Sequence, residues 1–135
     1  MALQLSDAVR NARLDAIEAS IGTGAVLKIR TGAPPANCAA ADSGTVLATL
    51  TLPSDWMAAA SGGSKALSGS WSDASADATG TAAHFRLYAS DGTTCGLQGT
   101  VTATGGGGDM TVDNTSFASG QVFSVTSFTL TDGNA

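Results

Sequence analysis

The 135-residue chain carries 11 acidic and 6 basic residues, a net charge of −5, and 43% hydrophobic positions against only 13% charged ones. So few Lys and Arg leave no basic patch to neutralise phosphates, which argues against nucleic acid and against an anionic membrane surface as partners. The length suits one domain with its own core, and there is no run of about 18 apolar residues to span a bilayer.

Met1 to Arg13 alternates polar and apolar residues and lacks the continuous apolar stretch of a signal peptide, so synthesis in the cytoplasm is expected. Residues 6–21 read as a helix. Ser6 suits the N-cap, Asp7 the first turn and Gly22 the stop. Leu5, Val9, Ala12, Ala16, Ile17 and Ile21 recur at three- and four-residue spacing, which predicts one buried apolar stripe. Asp15 and Glu18 sit toward the C-terminal end, where the macrodipole disfavours acids. Asp7 and Arg10 form one favourable i,i+3 pair. Alone such a helix is marginal, so tertiary or intersubunit packing must hold it.

After Gly24 the period changes to two. Strands are expected over 25–31, 45–52, 65–72, 81–89, 94–103, 110–113 and 121–131, separated by turns rich in Gly, Pro, Asp and Ser. Asp91-Gly92 is a hairpin signal, and a change of parity at Thr126-Ser127 suggests a β-bulge. The fold class is therefore mainly β: an antiparallel sandwich or jelly roll of seven or eight strands, with one N-terminal α-helix. A helical segment, 1–23, precedes a β domain, 24–135, the two forming one structural unit.

Groups for catalysis are sparse. His84 is the only imidazole, and it lies mid-strand on the polar side of His84-Phe85-Arg86-Leu87-Tyr88. The carboxylates are scattered over loops, where Asx-turns account for them. Gly105–Gly108 lacks the Lys and Ser/Thr of a phosphate loop, and Asp109 with Asp113 are too few for a calcium site. No catalytic, cofactor or metal residue is assigned, and a non-enzymatic module is expected.

Contact residues are better represented. By alternation, His84, Arg86 and Tyr88 share the outward face of their strand, and Arg and Tyr are favoured interface anchors. Trp56 and Met57 either plug one end of the sandwich or form an exposed anchor, and Arg10 and Arg13 are further interface candidates on the helix. Cys38 lies in a Pro-rich loop and Cys95 has core-facing parity. The pair reads either as two free thiols or as a disulfide formed after release into an oxidising medium.

Three stretches, Ala8–Glu18, Pro35–Cys38 through Leu52–Met57, and Gly92–Cys95 through Gly106–Thr111, resemble small proteins encoded among virion genes of tailed phages and prophages of proteobacteria. The likeness covers nearly the whole chain and carries no catalytic signature. It implies a virion component: a capsid decoration (cement) protein whose partners are the major capsid protein or other virion proteins, and which forms a homo-oligomer. The alternatives are a tail or head–tail connector component and a glycan- or receptor-binding β-sandwich module.

Overall fold

The computed structural model describes residues 3–133. Its helix α1, Asp7–Ile21, opens on Ser6, whose Oγ accepts from Val9 N at 3.3 Å, and closes at Gly22, whose N–H returns to Glu18 O. Ten short strands follow: β1 Val26–Arg30, β2 Val46–Thr51, β3 Ser64–Ala66, β4 Ser72–Asp73, β5 Gly80–Thr81, β6 His84–Tyr88, β7 Cys95–Ala103, β8 Met110–Val112, β9 Ser116–Phe117 and β10 Phe123–Thr131. The protein is thus mainly β with one helix. Its described residues form ten strands rather than seven or eight, because the stretches at 65–72 and 81–89 each break in two and β9 adds one more.

The large sheet runs β2-β1-β6-β7-β8-β10-β3, with β4 also on β10, while β5 and β9 form a separate ribbon. It is not wholly antiparallel: β7 and β8 pair in parallel, Val101 facing Met110. The turn at 104–109 therefore leads to β8 by a return of direction rather than by a hairpin. The sheet curls so that β2 approaches β4, where Asp73 Oδ2 accepts from Thr49 N at 3.4 Å, and the loop that follows β4. Thr49 Oγ1 donates to Asp77 Oδ2 at 2.8 Å, and Asp77 N donates to Leu47 O at 2.7 Å. The two halves enclose one core in the manner of a sandwich.

Trp56, Trp71, Phe85 and Phe128 form a chain of ring contacts through that core, with centroids 5.5–6.1 Å apart. The expected bulge in β10 is present as a register shift between Val125 and Ser127. A second irregularity lies between β6 and β7: Leu87 pairs with Leu97 but Tyr88 pairs with Cys95. Gly96 is the extra residue. It lacks a Cβ that would otherwise stand 2.6 Å from the Ile21 side chain, so the helix end can approach the strand.

Helix α1 docks by a face rotated from its predicted apolar stripe: Ile21 of that stripe packs against the core and Ile17 is half-buried, but Ala12 and Ala16 are exposed. Leu14 is its buried residue, whereas Val9 is 46% exposed. Polar bonds choose the rotation. Asn11 Oδ1 accepts from Gly63 N at 2.9 Å, Asp15 Oδ1 from Ala60 N at 3.1 Å, and Glu18 Oε1 from Met57 N at 3.0 Å. The two acids that oppose the macrodipole are therefore retained by the contacts they make beyond the helix, including ion pairs from buried Lys65 to Asp15 at 2.7 Å and to Glu18 at 2.9 Å.

Candidate functional site

His84, Arg86 and Tyr88 do share a face, as alternation requires, but that face is not outward: their exposures are 0%, 2% and 0%. Every residue of β6 is buried. The cause is the segment 33–44 between β1 and β2, which folds back over the sheet on the side away from the aromatic core. At its close, Gly44 adopts φ +72, and a Cβ there would stand 2.0 Å from Thr31 O.

Arg86 pins this loop. Its Nε donates to Gln98 Oε1 at 3.1 Å, its Nη1 to Asp42 Oδ1, and its Nη2 to the carbonyls of Asn37 at 2.9 Å and Ala40 at 3.1 Å. Tyr88 Oη donates to Asp42 Oδ1 at 2.6 Å and receives Arg30 Nη2 at 3.2 Å, while the same Arg30 nitrogen reaches Asp42 Oδ2 at 3.0 Å. His84 Nδ1 lies 2.6 Å from Gly32 O, and Gln98 Nε2 donates to Pro35 O at 2.7 Å. Two guanidiniums thus face one carboxylate, and the loop carbonyls offset part of the remaining positive charge.

The titration behaviour follows from these contacts. Burial opposes the charged form of Asp42, but hydrogen bonds from Tyr88 and Arg86 and the charges of Arg30 and Arg86 outweigh it, holding the carboxyl below its ordinary value. Burial, then the bond to Asp42, raises Tyr88. For Lys65 burial is again the opposing cause, overcome by Asp15 and Glu18, so its pKa is raised.

The other candidates also turn inward. Trp56 is fully buried, its Nε1 donating to Gly22 O at 3.1 Å, and Met57 is 1% exposed. They plug the end of the sandwich beneath the helix and are not surface anchors. Arg10 Nε donates to Asp132 O at 2.7 Å, and Arg13 Nε lies 3.2 Å from Asp132 Oδ2. Of the seven interface candidates, Arg13 alone has a largely exposed side chain, at 60%.

Cys95 also departs from its expected parity. The bulge at Gly96 turns it toward the loop-covered face, where its Sγ lies 2.7 Å from Cys38 Sγ. Both residues are thiols and both are half-buried.

Sequence reasoning missed Arg30, Asp42, Gln98 and Lys65. One signal was present. Lys28 pairs with Arg86 across β1 and β6, and cations directly opposed on neighbouring strands require a countercharge from elsewhere.

The surface that remains is acidic and short-chained. Arg30, Arg86 and Lys65 are buried, and so are all seven aromatic side chains. An open groove of about 340 Å³ lies between Ala16, Ile17 and Ile21 of α1 and Ala89, Thr94 and Gly96 of the β6–β7 hairpin. Among the described residues no group of three or more His, Cys, Asp or Glu is placed to hold a metal ion, and no helix is long and apolar enough to cross a membrane. No family model, curated protein or solved structure matches the chain.

Proposed function

We propose that the chain is a structural component of a tailed-phage particle, most specifically a capsid decoration protein that bridges major capsid subunits. The observation that carries this reading is where the charged groups act. Arg86 with Asp42, and Lys65 with Glu18 and Asp15, tie a loop and a helix to the sheet, so the ionisable side chains serve rigidity. What faces solvent is an acidic surface of small side chains, suited to a broad, shallow protein contact repeated over a lattice, where many weak attachments add up. The burial of Trp56, Trp71 and Tyr88 removes the aromatic platforms a glycan-binding module would need and weighs against that alternative.

The test is quantitative mass spectrometry of purified particles, together with rebinding of the isolated chain to shells that lack it. Decoration requires on the order of hundreds of copies. About six or twelve copies, matching the ring symmetry of a tail or connector, would transfer the chain to that part of the particle. Absence from particles would remove the proposal.

A further inference from the structure

We propose that Cys38 and Cys95 are a redox modification site at which a low-molecular-weight disulfide covalently locks the 33–44 loop onto β7. Their proximity is built by ordered elements on both sides. Cys38 lies between Asn37 and Ala40, whose carbonyls are both held by Arg86, and Asn37 Oδ1 accepts from Ala39 N at 2.9 Å and Ala40 N at 3.0 Å. Cys95 is aimed at the loop by the Gly96 bulge, and the sulfurs lie 2.7 Å apart. Both side chains are half-buried, so a small oxidant can reach them from solvent.

The chemistry balances as two exchange steps. The Cys38 thiolate attacks one sulfur of glutathione disulfide, whose S–S bond breaks to release one glutathione thiolate and leave a mixed disulfide on Cys38. Cys95 then loses its proton to solvent and attacks the Cys38 sulfur, expelling the second glutathione thiolate. Two electrons pass to glutathione, and its two thiolates take up the two protons. Burial and the hydrogen bond with Cys38 push the Cys95 thiol up to about 11, which makes it the poorer entry point and assigns it the resolving step. In a reducing cytoplasm the thiols stay free; in an oxidising medium the bond closes a 57-position loop. This inference stands whether or not the chain is a particle component.

The full chain is incubated with glutathione disulfide and read by non-reducing intact mass, thiol alkylation and thermal melting. The expected product is a monomer lighter by a hydrogen pair, with neither cysteine open to alkylation and with a melting temperature raised by on the order of 10 °C, all reversed by reductant. Cys95→Ser should stop at a stable adduct of one glutathione on Cys38, and Cys38→Ser should react far more slowly. Parent protein that keeps both thiols alkylatable, holds a stable glutathione adduct, or cross-links between copies would overturn the proposal. Cys38→Ser modified at Cys95 as fast as the parent would overturn the assigned order.

Discussion

Arg86 on β6 and Asp42 on the β1–β2 loop form an ion pair on the face of the sheet opposite the aromatic core. It lies beneath a loop whose carbonyls complete the guanidinium's hydrogen bonding, so its removal leaves the Asn37 and Ala40 carbonyls and the Asp42 carboxylate without their main partner. Arg86→Ala should cost about 3 kcal/mol in urea unfolding, and Arg86→Lys should recover little, because an ammonium cannot reproduce the planar fork. Less than about 0.5 kcal/mol for Arg86→Ala would mean that the loop is held by other contacts.

Asp42 predicts how acid acts on the same loop. Its folded-state pKa lies below the ordinary 3.8, so its contribution is fully present above the unfolded value and is lost as pH falls through the folded one. Asp42→Asn should therefore lower stability at neutral pH by about 1–2 kcal/mol, a modest figure because the side chain is 39% exposed, and should flatten the acid limb. An unchanged acid limb would assign that limb to other carboxylates. Asp91 is one such group, held at about 2 by its hydrogen bonds from Thr94 and Thr93.

Lys65 gives the opposite dependence. Its folded pKa is raised above 10.5, so its contribution is complete below that value and disappears as pH climbs through the folded one. Lys65→Met should destabilise by about 2–3 kcal/mol at neutral pH, and amide exchange should speed first in α1. Exchange that accelerates equally throughout the sheet would show that the helix does not open separately.

The rotation of α1 separates two substitutions that its apolar periodicity treats differently. Val9→Asp should change stability by less than about 0.5 kcal/mol, because Val9 faces solvent, whereas Leu14→Ala should cost about 2–4 kcal/mol. Equal losses in chemical denaturation would return the helix to its apolar stripe.

Local pattern made much of this legible. The Ser6 cap, the Gly22 stop, the Asp91-Gly92 turn and the bulge near Thr126 all lie where short-range chemistry puts them. Alternation also correctly grouped His84, Arg86 and Tyr88. It could not say whether that group meets water, because this depends on a loop some 45 positions earlier in the chain. Cys95 was misplaced for a related reason: one extra residue at Gly96 reverses the parity of what precedes it. The rotation of α1 away from its stripe escaped detection because hydrogen bonds accepted by Asn11, Asp15 and Glu18 decide it, and these add nothing to hydrophobic periodicity.

The same carboxylates bear on how copies of the chain behave when crowded together. Beyond β3 the segment 57–61 adds a last irregular strand, joined by Met57–Leu67 and Ser61–Ser64 bridges, and its outward N–H groups at Met57 and Ala60 donate to Glu18 and Asp15. At the other margin, Leu47 O and Thr49 N are taken by Asp77 N and Asp73 Oδ2. Among the described residues, each border of the large sheet thus has two backbone groups already engaged by its own chain, which interrupts the row a second strand would need for pairing there. Interrupted edges favour discrete contacts between side chains over cross-β polymerisation when copies are crowded.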